Sequence, residues 1–240
     1  RGGKAGENGT GGTGGAVNNN TVTLIGENVK VGGLIYGGYS IDGDGNPITD
    51  LAKVFYGNTL NLEGFAGTVE GVGNFENYSW LLPEGVFNRA HVIDVTGGTA
   101  VDLNLTKHSI YMMNDGNQLN AGDTVILIDS ATAASQAPEL LTPKVHQGNM
   151  IIYDVSIVTR TVEGDFILRI DAKNGEPAGT PAGELNPRAE AFMEGRAAAL
   201  TMANRGADMI SDYAIDTAVK ATDSKNRNMF FLSDGGSMRS

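Results

Sequence analysis

Three histidines, His91, His108 and His146, have the greatest capacity for acid–base or metal chemistry in this sequence. None has a second histidine at the spacing of a metal site, and the chain contains no cysteine, so neither a zinc site nor thiolate chemistry is indicated. No Gly-x-Ser-x-Gly motif marks a serine nucleophile. A Ser-His-Asp triad assembled from distant residues stays open, because triads do not depend on sequence order. The histidines are interpreted as surface or core residues, and no catalytic residue is predicted.

The loop Asp42-Gly43-Asp44-Gly45-Asn46 is the best candidate for a metal site. Its oxygens at alternate positions, with glycine at the sharp turn, resemble the start of a calcium loop. The bidentate glutamate expected further along is absent, because Pro47-Ile48-Thr49-Asp50 follows. An acidic surface turn is therefore favoured, and no metal or other cofactor is predicted.

Two further pairs of residues are candidates for carbohydrate chemistry. Asp94 and Asp102 flank a Thr-Gly-Gly turn, and clustered carboxylates are what a glycosidase or a polysaccharide lyase requires. Both are expected at solvent-facing strand positions, and analogy of fold alone does not establish an enzyme. Trp80, with Tyr78 nearby, has the chemistry of a sugar platform, although Trp80-Leu81-Leu82 favours a core position. A carbohydrate-active domain, lyase or glycosidase, is the alternative function.

The composition limits which elements can position these residues. The chain has 240 residues with 34 glycines, is 40% hydrophobic and carries a formal net charge of −11. Abundant glycine with this apolar content favours many short strands joined by tight turns. The acidic balance argues against nucleic acid as a partner, because phosphate binding needs a basic surface. No apolar run is long enough to cross a bilayer, so no transmembrane helix is predicted.

Residues 17–106 contain short alternating runs bounded by glycine or asparagine, which predict half-buried strands. These runs are Thr21–Ile25, Thr59–Leu62, His91–Val95 and Val101–Leu103. Leu34-Ile35-Tyr36-Gly37 is echoed further along the chain by Val54-Phe55-Tyr56-Gly57. An offset of roughly 20 residues between such echoes predicts the end of a right-handed parallel β-helix, a solenoid of stacked coils. The rival architecture is a sandwich or an antiparallel barrel, with Asp42–Gly45 as a hairpin turn.

Residues 107–172 contain longer strands with more β-branched residues, which predict an all-β cap closing the end of the solenoid. The predicted core of this cap is Val125, Ile126, Leu127, Ile128, Ile151, Ile152, Ile167, Leu168 and Ile170. Apolar residues on both faces of the strand around Ile128 predict that it is covered on both sides.

The remaining segments differ in composition from the strands. Residues 1–16 are interpreted as a Gly-rich leader and residues 173–186 as a Pro/Gly linker. Residues 187–224 predict one long α-helix, with Pro187 in its first turn and an alanine- and glycine-rich face. Residues 225–240 are interpreted as a strand that starts and is then cut off, and the chain as a piece of a longer protein.

Four groups of residues follow one another in an order typical of one secreted family. They are Tyr56–Leu62 with Gly71–Asn77, then Leu119–Val125, then Asn186–Gly195 with Asn204–Asp208, and finally Phe230–Arg239. From about residue 17 to its end, the chain resembles the C-terminal part of a type V autotransporter, one of the self-secreting adhesins and toxins of Gram-negative bacteria. Two departures are the missing translocator barrel and the lack of a clear Asn-Asn cleavage pair in the helix.

The resemblance implies a non-catalytic role at the cell surface. Residues 17–106 would be passenger coils, residues 107–172 an autochaperone-like cap that nucleates folding during secretion, and residues 187–224 the helix that threads the translocator barrel. The implied partners are the protein's own outer-membrane barrel, the barrel-assembly machinery, and a host glycan or host protein bound by an adhesin. The expected location is the outer membrane and the extracellular surface.

Overall fold

The structure is a computed structural model that describes residues 14–88, 90–98, 100–113, 117–130, 138–148, 150–160, 164–173, 176–211 and 215–223. The chain divides into two compact units, Arg1–Asn186 and Pro187–Ser240. Only residues 14–16 of the predicted leader are among the described residues. The predicted barrel strand, residues 225–240, lies wholly outside them.

Strands are the main regular elements of the first unit. In chain order they are β1 (Thr21–Tyr36), β2 (Thr59–Gly73), β3 (Asn77–Leu82), β4 (His91–Val95), β5 (Lys107–Met112), β6 (Thr124–Ser130), β7 (Glu139–Leu140), β8 (Lys144–Gln147), β9 (Ile151–Arg160), β10 (Asp165–Ile170) and β11 (Glu184–Leu185). A helical turn α1 (Leu51–Val54) and a 3₁₀ turn (Val86–Asn88) interrupt them.

The strands up to β6 pair in parallel. Thr21 lies opposite Thr59, Thr59 opposite Asn77, and Asn77 opposite Lys107. The long strand β2 pairs with β3 through its first residues and with β4 through Gly67–Val69. Strand β4 in turn pairs in parallel with β6. Two parallel ladders therefore start from β2, one through β3 to β5 and one through β4 to β6.

Antiparallel strands join the two ladders. Strand β8 contacts the end of β5, β9 pairs antiparallel with β8, and β10 pairs antiparallel with both β9 and β6. The hydrogen-bonded path β2-β3-β5-β8-β9-β10-β6-β4 returns to β2 and forms a closed eight-stranded barrel. Strand β1 adds to β2 outside this ring.

The predicted right-handed parallel β-helix is therefore wrong. Equivalent positions along the first ladder do not recur at a constant interval, because the step from Thr21 to Thr59 is more than twice as long as the step from Thr59 to Asn77. The repeated tetrapeptide is not structurally equivalent either: Leu34–Tyr36 ends a strand, whereas Val54 ends helix α1. Short parallel strands bounded by glycine are compatible with both a β-helix and a barrel. The antiparallel strands after residue 143 close the ring and so determine that the fold is a barrel.

The apolar core fills the interior and includes most of the predicted cap core. Six of the predicted residues are buried: Val125, Leu127, Ile128, Ile167, Leu168 and Ile170. Ile126, Ile151 and Ile152 are only partly buried. Tyr153 and Phe166 are fully buried core residues that the prediction omitted.

The predicted linker, residues 173–186, packs against the barrel in the part the structure describes. Strand β11 pairs antiparallel with β9, placing Glu184 opposite Ile152. The backbone of Ala182 donates to Leu119, and its side chain is buried. The predicted helix is observed as α2 (Pro187–Met209) and α3 (Ile215–Asp223), with most described side chains exposed. None of the described helices is long and apolar enough to span a membrane.

Candidate functional site

Strands β9 and β10, called here the closing hairpin, are the part of the molecule that joins both parallel ladders. Their register runs from Asp165 opposite Arg160 to Ile170 opposite Val155. Every side chain of β10 except Arg169 is buried. A strand buried on both faces needs apolar residues at consecutive positions, which Phe166, Ile167 and Leu168 supply.

A buried polar network fixes the closing hairpin to the strands beside it. The Tyr153 hydroxyl donates to Oε1 of Gln147 over 2.9 Å and accepts from the backbone N–H of Leu119 at 3.2 Å. Nε2 of Gln147 donates to the carbonyl of Asn117 over 2.8 Å. Because buried polar groups are costly when unpaired, these bonds favour one register of β8 against β9.

Charged side chains reinforce the same strands from outside. Lys144 on β8 forms an ion pair with Asp154 on β9 at 2.8 Å, and this hydrogen bond raises the pKa of the Lys144 amine. Lys173 forms a similar pair with Glu184 of β11. These pairs are largely exposed, so they contribute little to stability, and the apolar contacts of β10 dominate.

His108 is a core residue, as the interpretation of the histidines allowed. Its ring is fully buried and stacks on Tyr78 with 4.6 Å between ring centroids. Nε1 of Trp80 donates to Nδ1 of His108 over 3.0 Å, and Nε2 of His108 lies 3.0 Å from the hydroxyl of Thr106. The Thr106 hydroxyl donates in turn to the carbonyl of Leu103. Burial lowers the pKa of His108 to about 3, so the ring is neutral at physiological pH.

The other two histidines are on the surface. His91 lies beside Asp129 of the neighbouring strand β6, with 3.2 Å between Nδ1 and Oδ2, while His146 is exposed on β8. The hydroxyls of Ser40 and Ser130 are buried and make no hydrogen bond to a histidine. The pairing of His91 with Asp129 was not predicted, because the two residues belong to strands far apart in the sequence.

The calcium-like loop uses its oxygens within its own turn. Oδ1 of Asp42 accepts from the backbone N–H groups of Asp44 and Asn46, and bonds from Asn46 above all hold the pKa of the Asp42 carboxyl below its ordinary value. Ile41 and Pro47 form an antiparallel bridge across the loop. Among the described residues, no three potential metal ligands come together. The turn therefore has a local hairpin geometry, the one that the alternative of a sandwich or an antiparallel barrel assigned to Asp42–Gly45.

Of the two carbohydrate pairs, Tyr78 and Trp80 are buried, whereas Asp94 and Asp102 lie outside the core. Asp94 lies opposite Asp129, whereas Asp102 lines a groove together with Tyr36. Tyr78 and Trp80 are both in the core, so a sugar platform at these two residues is wrong. Buried and partly buried side chains alternate along β3, and Tyr78 and Trp80 both lie on its buried face.

The chain was compared with protein-family models, with curated proteins and with solved structures, and none of them matched.

Proposed function

We propose that residues 107–172 are the folding-nucleating and closing segment of a non-catalytic protein secreted to the bacterial surface, as the resemblance to autotransporters implies. The observation that carries this proposal is the position of the closing hairpin between β8 and β6. Those strands continue the two parallel ladders, so the hairpin provides the links that complete the ring.

Sequence separation favours early formation of the closing hairpin. Its strands pair residues as close as Arg160 and Asp165, whereas β1 and β2 pair residues as distant as Thr21 and Thr59. Closing a short loop costs less conformational entropy than closing a long one, and local contacts form faster. The hairpin can then serve as a template to which β6 and β8 add, followed by the parallel strands.

Such a nucleus would protect the chain during secretion. A chain that reaches the cell surface unfolded exposes strand edges that pair with other chains. A nucleus near the C-terminal end of the passenger would pair those edges as the preceding strands arrive. The exposed helix α2 would occupy the translocator barrel, the protein's own partner, and would leave the first unit outside the cell.

Folding kinetics test the nucleus with a matched pair of substitutions. Phe166 on β10 and Phe65 on β2 are both fully buried. Phe→Leu at either position should cost about 1–1.5 kcal/mol. We expect Phe166→Leu to slow folding about fourfold and Phe65→Leu to act mainly by accelerating unfolding. Slower folding in Phe65→Leu alone would overturn the proposed order.

The surface role is tested in the complete secreted protein. Ile128 is buried in β6, and Ile128→Ala should cost about 2–5 kcal/mol. We expect the variant passenger to be digested faster by external protease, while heat-modifiability of the outer-membrane barrel is unchanged. Ile25→Ala, at an exposed position of β1, is the control. Equal protease resistance of the wild type and Ile128→Ala would contradict the proposed closing role.

A further inference from the structure

A groove of about 550 Å³ lies on the first unit, well separated in sequence from the closing hairpin. Its walls come from the end of β1, from the residues before and within α1, from the turn after β2 and from the segment between β4 and β5. Its lining residues include Leu34, Tyr36, Tyr39, Asn74 and Asp102. This volume is within the range of small-ligand sites.

Two tyrosines form an exposed aromatic surface in this groove. The rings of Tyr36 and Tyr39 stack with 5.6 Å between centroids and an interplanar angle of 29°. Tyr36 is 37% exposed and Tyr39 is 55% exposed. Each ring therefore supports the other while keeping apolar area open to solvent.

Two glycines of β2 leave room for the side chains that form this surface. Tyr36 lies opposite Gly73, and a Cβ at Gly73 would come within 2.8 Å of Cε1 of Tyr36. Leu34 lies opposite Gly71, where a Cβ would come within 2.6 Å of Cδ2 of Leu34. The absence of side chains at both glycines lets Leu34 and Tyr36 lie against the backbone of β2. The apolar surface is thus positioned before any ligand arrives, which reduces the entropic cost of binding.

Polar groups line the same groove. The Asp102 carboxylate accepts from the backbone N–H of Asn104 over 2.9 Å, which orients it. The Asn74 side chain donates to the carbonyl of Gly38 over 2.7 Å, which fixes the turn after β2. Stacked tyrosines and a carboxylate that line the same groove suit a ligand with one apolar face and several hydroxyl groups.

We propose that this groove binds a neutral oligosaccharide. A pyranose ring presents C–H groups on a face, which pack on tyrosine, and hydroxyl donors at its edge, which a carboxylate accepts. The Asp102 carboxylate and the net charge of −11 disfavour sialylated or sulfated sugars. Binding in this groove is independent of the proposed folding role, because none of the groove residues lies in β8, β9 or β10.

The experiment uses an array of short neutral oligosaccharides built from hexoses and N-acetylhexosamines, with sialylated and sulfated oligosaccharides alongside. The strongest neutral sugar is then titrated by NMR. We expect Tyr36→Ala and Tyr39→Ala to weaken its binding by about tenfold. Tyr111→Ala, at a similarly exposed tyrosine of β5, is expected to leave the affinity unchanged.

A second pair of variants tests the positioning of Tyr36. Gly73→Ala should weaken binding because its Cβ displaces the Tyr36 ring, whereas a Cβ at Gly33 meets no atom within 4 Å, so Gly33→Ala should not. Thermal unfolding of each variant reports whether the fold is retained. Three results would overturn the proposal: no neutral sugar binds, only anionic sugars or peptides bind, or binding is insensitive to both tyrosines.

Discussion

Acidification should destabilise the first unit through one residue, His108. The ring accepts a hydrogen bond from Trp80 at Nδ1, so a second proton there would face the indole N–H. Tyr78 and Phe166 pack on the ring, and burial raises the pKa of the Tyr78 hydroxyl, which keeps it uncharged. Among the described contacts of His108, the ring's hydrogen-bond partners are Trp80 and Thr106, and no carboxylate bonds to the ring to stabilise an imidazolium.

The size of the effect follows from the two pKa values. The pKa of His108 is about 3 in the fold and that of an unfolded histidine is about 6.5. Between these values the unfolded chain binds more protons, so the free energy of unfolding falls as the pH drops through 6.5 and continues to fall towards 3. At pH 5 the loss relative to pH 8 is about 2 kcal/mol. For a unit of this size that corresponds to a decrease in Tm of about 4–8 °C.

Trp80 provides the assay, because it is the only tryptophan and it contacts the titrating ring directly. Urea unfolding followed by tryptophan fluorescence at several values between pH 8 and pH 5 gives the free energy of unfolding. This window lies above the range where the carboxyls of Asp42 and Glu76, both with lowered pKa, take up protons. The measured slope therefore reports mainly on histidine.

Substitution of His108 separates its contribution from that of the surface histidines. His108→Gln should lower stability at pH 8 and abolish most of the dependence between pH 7 and pH 5. His146→Gln, at an exposed position, should leave the dependence in place because His108 remains. Equal stability of the wild type at pH 8 and pH 5, or an undiminished slope in His108→Gln, would refute this role of His108.

Two further predictions concern a buried amide and the helical unit. Asn58 is fully buried, accepts from the backbone of Asn20 at 2.9 Å and donates to the carbonyls of Val54 and Asn74, so Asn58→Ala should cost about 2–3 kcal/mol, measured by urea unfolding. A loss of unfolding free energy in Asn58→Ala that is smaller than the loss caused by a substitution at an exposed position would contradict this prediction. Helix α2 should exchange its amide hydrogens much faster than β10 in a monomer, because its described side chains are mostly exposed. Equal protection of α2 and β10 would be inconsistent with it.

Local patterns predicted many of the elements. Strand β4 was predicted with its observed bounds, and the strands around Ile128 and Leu168 were located from their apolar runs. A strand can be recognised from its own alternation or apolar run, because that pattern is local in the sequence. Ile128 was also predicted to be buried from apolar residues on both faces, and its side chain is almost fully buried.

Pairing partners could not be predicted in the same way. Nothing in the sequence around His91 indicates that β4 pairs with β6, or that Glu184 pairs with Ile152 of β9. The tetrapeptide repeat ending at Gly57 was misleading, because a helix end and a strand end can share apolar residues before a glycine. The groove at Tyr36 was missed because its rings are brought together by a turn. The missed signal was the spacing of Gly71 and Gly73, which leaves room for the side chains opposite.

The buried polar residues explain how one register is chosen among similar parallel strands. A shift by one residue would turn the apolar face of a strand outward, and it would also break the fixed bonds at its start. Asn58 immediately precedes β2 and forms hydrogen bonds with Asn20 and Asn74. At the start of β5, Thr106 bonds to Leu103 and His108 bonds to Trp80. Apolar packing alone tolerates many similar arrangements, whereas a buried amide or imidazole is satisfied in few. These residues would therefore determine how each parallel strand aligns on its neighbour.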